Sequence, residues 1–249
     1  MDPIITAIAK TAEAGLADVA KENSHSFLKA VLHEPAQELG SLLGDKIRER
    51  RHQNLIKITA RAQERLKGAG YTARQIPLSI VHPALDAASF EEDPNLQETW
   101  SNLLASAATS NPKGCVYPSF PSILKELTAT DVKFLDALFE ATFAHGKIPL
   151  EQPLERAYIA PQIVMRIYVS VVSGKNLDKL HGQEAMDLLQ ESIRGKNMSM
   201  ETFERNNIVI KEFSVSGGGF DKLAELGFAY VFTNLGASFV SACRGPQAQ

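Results

Sequence analysis

Cysteine is scarce in this 249-residue chain, with Cys115 and Cys243 its only two. Two thiols are too few for a disulfide framework, so the fold must rest on its core, and a reducing cytoplasm is the expected compartment. Long apolar runs are missing as well. The most apolar stretch, residues 159–172, is short and interrupted by Arg166, whereas a membrane-spanning helix needs roughly 18 to 20 apolar residues. The start, Met-Asp-Pro-Ile-Ile, lacks the basic head and apolar core of a signal peptide. Neither sign of charge dominates. Residues 1–115 hold 13 basic and 14 acidic side chains, and the remainder holds 13 and 15. That balance argues against a basic nucleic-acid domain or an acidic tail. An apolar content of 44% with a net charge of −3 excludes disorder as the main state. The length allows one large domain or two small ones.

Recognisable catalytic signatures are also missing. A restriction-type nuclease needs an acid followed by Glu-x-Lys, which holds Mg2+ and assists the attacking water; no Glu-x-Lys occurs anywhere. Helical RNases of the higher-eukaryote-and-prokaryote-nucleotide-binding class place Arg-x4-6-His on one helix, and here Arg48 and His52 are one residue too close. The six histidines are His25, His33, His52, His82, His145 and His181. None starts a His-Glu-x-x-His zinc motif, because Gln37 stands where His33-Glu34 would need its second histidine. Gly-x-Ser-x-Gly elbows and Gly-x4-Gly-Lys phosphate loops are absent. Gly217-Gly218-Gly219 has no following Lys-Ser/Thr and reads as a flexible connector. Neither cysteine has a histidine near it in sequence, so both read as small hydrophobes. No catalytic, cofactor or metal residue is therefore assigned, and the expectation is a protein that is not an enzyme.

What the chain does have is helical periodicity. Ile4, Ile8, Leu16 and Val19 mark a first helix over residues 4–20, and a short one follows around 27–32. Pro35 suits the first turn of a long helix ending at Gly68-Ala69-Gly70. Its stripe is Leu39, Leu43, Ile47, Leu55, Ile58, Ala62 and Leu66. At about 1.5 Å per residue it spans roughly 45–50 Å, so a partner helix or a second subunit should cover part of it. Pro77 can open a helix to about Phe90, bent or delayed by Pro83. Asp93 and Pro94 are cap and first residue of the next, with Leu96, Trp100, Leu103, Leu104, Ala107 and Ala108 as its apolar face. Trp100 reads as a core anchor rather than an exposed binding aromatic. Three prolines and a glycine in residues 111–121 mark a boundary between halves 1–115 and 116–249. Helices follow near 120–127, 129–144 (opened by Thr128 with Asp131), 160–173 and 182–193. After Asn206, β-branched and aromatic runs predict strands at 208–215 and 228–232. Between them lies a short helix over 220–226 closed by Gly227, and Thr233 caps a last helix. The fold class is thus mainly α: a helical N-terminal half with a long helix, and a helical C-terminal half with a small winged-helix-like α+β element.

One charge pattern stands out. Lys46, Arg50, Lys57 and Arg61 fall within an arc of about 60° on the long helix, beside its apolar stripe. They are the candidate residues for an anionic partner: RNA, DNA or a phospholipid surface. The alternative is internal pairing, since residues 75–112 carry five acids, among them Glu91-Glu92-Asp93, and no Lys or Arg. The winged-helix-like end holds only Lys222 and Arg244 between residues 217 and 249. It suits a scaffold or protein-binding surface better than a DNA reader.

Ile76-Pro77, Leu85, Ala88-Ser89, Glu91-Glu92-Asp93, Leu96-Gln97, Trp100 and Leu103-Leu104 together resemble the abortive infection alpha family. The likeness continues through Pro118-Ser119-Phe120, Ile123-Leu124, Leu127 and Asp131. It returns at Leu226-Gly227, Thr233, Gly236, Phe239-Val240 and Cys243, with Pro35-Ala36 and Glu38-Leu39-Gly40 upstream. The resemblance implies a bacterial anti-phage protein and supplies no catalytic residues to carry over. The expectation is a non-enzymatic cytoplasmic protein acting by protein–protein interaction. It would be a homo-oligomer through its long helix and amphipathic N-terminus, with a neighbouring defence protein or a phage protein as a further partner. The alternatives are a winged-helix-type nucleic-acid regulator and a membrane-active toxin, and a membrane partner is the less expected because the N-terminal apolar face lacks aromatics.

Overall fold

The computed structural model describes residues 18–19, 21–24, 26–27, 30, 45–109, 116–143, 158–176, 179, 182–213 and 228–246. The expected start of the first helix, the opening of the long helix at Pro35, the 111–115 linker, Gly217-Gly218-Gly219 and the 220–226 helix lie outside them. The chain is mainly helical and packs as two compact units, Met1–Lys125 with Ser241–Gln249, and Glu126–Val240. Residues 116–125 belong to the first unit.

The first unit contains α1 (Asp45–Gly68), α2 (Leu78–Ser89), α3 (Pro94–Ala108) and α4 (Phe120–Lys125). α3 is its centre, buried on nearly every side, with Leu96, Trp100, Leu103 and Leu104 all covered. Trp100 is 1% exposed, the core anchor its helical position predicts. The sequence starts this helix firmly. Asp93 Oδ1 accepts from the N–H groups of Asn95 (2.8 Å) and Leu96 (3.2 Å), and Pro94 occupies the position that needs no N–H. The hydroxyls carried into the core bond to backbone: Ser101 to Gln97 O at 2.7 Å and Ser106 to Ala242 O at 2.8 Å.

α1 lays Ile58, Ala62 and Leu66 against α3 and α2, all three fully buried. Of the described stripe only Leu55 is half-buried rather than covered within the unit. Ser24 and Phe27, from the helical residues between 18 and 30, are buried too, and Ser24 Oγ lies 2.7 Å from Thr59 Oγ1. The helix ends as its glycines require. Gly70 takes φ +81°, with Tyr71 N–H bonding to Leu66 O (2.9 Å) and Gly70 N–H to Lys67 O (3.1 Å). α2 keeps Pro83 inside the helix. The bond lost is only that to the carbonyl of exposed Ser79, which water can satisfy.

The second unit contains α5 (Ala129–Phe143), β1 (Tyr158–Ile159), α6 (Pro161–Ser173), α7 (Gly182–Arg205), β2 (Val209–Phe213), β3 (Phe228–Phe232) and the start of α8 (Asn234–Cys243). The strands form one antiparallel sheet in the order β1-β3-β2, with Ile210 opposite Val231 and Tyr158 opposite Val231 on the other edge. The core is aromatic. Phe134 packs edge-on to Tyr168 at 4.9 Å, Phe134 lies 5.8 Å from Phe203, and Phe232 lies 5.9 Å from Phe139 and 5.8 Å from Phe143. Asn207, at φ +54°, closes α7 and turns the chain into β2, with Ile208 N–H on Phe203 O at 2.8 Å. Thr233 Oγ1 accepts from Gly236 N–H at 2.9 Å, the expected cap of α8.

Candidate functional site

Lys46, Arg50, Lys57 and Arg61 all lie on α1, although the side chain of Lys46 is outside the described ones. Arg50 Nη1 sits 3.1 Å from Glu92 Oε1 at the surface. Its neighbour Arg51 is held harder. Nη2 reaches Asp86 Oδ1 at 2.7 Å, Nε donates to Ser89 Oγ at 2.7 Å, and the guanidinium lies 3.8 Å from the Phe90 ring centroid. Its side chain is 15% exposed, so charge-assisted bonds and ring stacking fix α1 to α2. Arg65 pairs with Glu98. The acid-rich 75–112 segment is therefore a real internal partner for α1. Lys57 is exposed, Arg61 is half-buried, and neither makes an ion pair among the described residues. Two such cations neutralise few phosphates.

A buried polar cluster joins α5, α6 and α7. Asp131 Oδ2 accepts from Thr128 N–H (2.8 Å) and Thr128 Oγ1 (2.7 Å), and Thr128 Oγ1 accepts in return from Asp131 N–H (3.2 Å). This is the capping box expected from sequence. The other carboxylate oxygen accepts from Ser199 Oγ at 2.5 Å, and Tyr168 hydrogen-bonds Ser199. Burial pushes the Tyr168 phenol above its ordinary range, as does the Asp131 charge, while the Ser199 bond opposes both. Both carboxylate oxygens are taken, and no imidazole joins the group among the described residues. Its evident work is to tie three helices together.

A second cluster lies where α7 meets the sheet. Lys211 Nζ is 2.9 Å from Glu204 Oε1 and within 6 Å of the ring centroids of Phe228 (5.9 Å) and Tyr230 (5.7 Å). The Glu204 hydrogen bond raises the Lys211 pKa, whereas burial lowers that of Lys196, helped by the nearby Lys211 charge. Among the described residues no three His, Cys, Asp or Glu side chains gather where a metal could be held. No helix there is long and apolar enough to cross a membrane.

The most distinctive surface is the outer side of α7. Its inner face buries Ser192, Ser199 and Phe203, while Met186 is 63% and Ile193 49% exposed. Seven residues apart, these two stand on one line of the helix, with half-buried Leu189 between them. Beside them lie exposed Asp187 and Arg194. The spacing falls within the helix expected over 182–193, but which face of that helix is left exposed is set by the elements that pack against it.

No curated protein and no solved structure matches the chain. The model of one family does, that of abortive infection alpha, over residues 50–243. That span begins within α1 and ends on the last residue of α8, taking in the capped α3, the Asp131 cluster and the whole of α7. The chain belongs to the abortive infection alpha family.

Proposed function

We propose that this protein is a non-enzymatic component of abortive-infection defence against phage, acting in the cytoplasm through protein–protein contacts and self-association. Family membership supports the defence role. One observation carries the mode of action: α7 turns large apolar side chains, Met186 and Ile193, to solvent in line with each other. An aligned, charge-flanked apolar strip is what a protein-binding helix presents. Along the long helix, Ile58, Ala62 and Leu66 are buried inside their own unit, and the α7 strip offers a further apolar surface for such contacts. A neighbouring defence protein or a phage protein would be the further partner.

The test is expression of the chain from its own promoter in a phage-sensitive host, with plating efficiency and survival of infected cells measured. Charging the α7 strip by Met186→Lys with Ile193→Lys should abolish protection while leaving the fold, read by circular dichroism, unchanged. Full protection by that variant would refute the reading. A second reading, nucleic-acid contact through the α1 face, draws on the exposure of Lys57 and on Arg61 beside it. It requires binding that weakens steeply with salt and disappears on Lys57→Glu with Arg61→Glu.

A further inference from the structure

We infer that α7 is the self-association surface, pairing antiparallel with α7 of a second copy about a two-fold axis between Leu189 and Gln190. The inference rests on the proposed self-association and names its geometry. Centring the axis there sets Met186 opposite the partner's Ile193, and Ile193 opposite the partner's Met186. The exposed apolar pair thus covers itself, as an isologous contact requires.

Charge selects this occupant. Asp187 and Arg194 are also seven residues apart, on the same flank of the strip. In an antiparallel pair that flank meets its own copy, and Asp187 comes within two residues, about 3 Å along the axis, of the partner's Arg194. Two reciprocal ion pairs result. Arg194 makes no ion pair among the described residues, and Asp187 has only Gln183 Nε2 on its Oδ1 at 2.7 Å, which leaves Oδ2 to accept. In a parallel pair that flank falls on opposite sides of the seam in the two copies, so Asp187 and Arg194 do not meet their counterparts and no such ion pairs form. Exposed Met198 lies off the strip and takes no part.

The experiment is sedimentation equilibrium of the full chain over a micromolar concentration series, with circular dichroism to confirm the fold. The wild type should dimerise. Arg194→Glu sets carboxylate against carboxylate at both pairs and should weaken association about tenfold or more, as should Asp187→Arg. The double variant Asp187→Arg with Arg194→Glu should restore the wild-type constant. Ile193→Lys should give a monomer. A wild type that stays monomeric throughout the series would overturn self-association itself. A wild-type dimer unmoved by all four variants would overturn only the α7 surface. Weakening by each single variant without restoration in the double would overturn the antiparallel register.

Discussion

Gly195 is where two opposing effects of known size meet on one atom. In a helix interior, replacing glycine by alanine ordinarily stabilises by about 1 kcal/mol, because the unfolded chain loses freedom. At this position the new Cβ would stand only 2.2 Å from the Tyr168 hydroxyl oxygen and 3.1 Å from its Cζ. The ring has little room to retreat. It is 7% exposed, packs edge-on to Phe134 at 4.9 Å, and its hydroxyl is engaged by Ser199. Displacing it brings overpacking of about 1–3 kcal/mol and puts at risk a buried hydroxyl whose loss of partner costs about 1–3 kcal/mol. The clash therefore outweighs the helix gain, and Gly195→Ala should lower stability by about 1–3 kcal/mol. In Tyr168→Phe the offending oxygen is gone and the closest approach relaxes to 3.1 Å. There the same alanine should be nearly neutral, giving a coupling of at least about 1 kcal/mol in the double-mutant cycle. Urea unfolding followed by far-UV circular dichroism on the four proteins measures it. An additive cycle, or a Gly195→Ala protein more stable than wild type, would refute the reasoning.

Gly236→Ala should be worse. Its Cβ would lie 2.1 Å from the backbone oxygen of Ile208, which cannot swing aside, so a loss of about 3 kcal/mol or more is expected in urea unfolding. Asp93→Ala removes the acceptor of two N–H groups at the start of α3 and should cost about 1 kcal/mol, with Asp93→Asn retaining most of it. The pH dependence follows from Tyr168, whose phenol is held above its ordinary value of 10.0, first by burial. The unfolded chain then releases its proton first, so the contribution is fully present below pH 10 and is lost as pH rises through the folded value. The wild-type unfolding midpoint should fall with rising pH in that alkaline range more steeply than that of Tyr168→Phe; equal slopes would contradict it.

The features legible in the sequence are those whose causes are local. Asp93-Pro94 and Thr128 with Asp131 sit three or fewer residues from the groups they cap, and Gly70 stops α1 within one turn. The strands at Val209–Phe213 and Phe228–Phe232 announce themselves by residue type. What escapes is set by distant contacts. Gly195, Asn197 and Ser199 argue for the end of a helix near residue 193, yet α7 runs on to Arg205 because Gly195 admits Tyr168 and Ser199 reaches Asp131, 68 positions away. β1 is two residues held by β3 rather than by its own propensity. At the candidate sites, the pairing of Arg50 with the 91–93 acids was readable as an alternative. The Met186–Ile193 strip lay within the expected helix, but its exposure depends on packing that spacing alone does not set.

The segment that most resembles the family is also the one with least surface to spare. Leu96, Trp100, Leu103 and Leu104 are buried within their unit. Its polar members are consumed by architecture: Glu91 Oε1 accepts from Asp93 N–H at 2.9 Å, Gln97 Nε2 donates to Glu91 O at 2.8 Å, and Glu92 pairs with Arg50. A motif so used in building α3 and docking α1 onto it explains a shared fold. On the proposed reading, specificity resides in side chains whose removal leaves the core untouched. Met186, Asp187, Ile193 and Arg194 meet that condition, since all four are solvent-facing and none has a role in the packing beneath α7. If defence depends on recognition, charge reversal on α7 should silence it in a protein that still folds, whereas substitutions in α3 should silence it only by unfolding the chain.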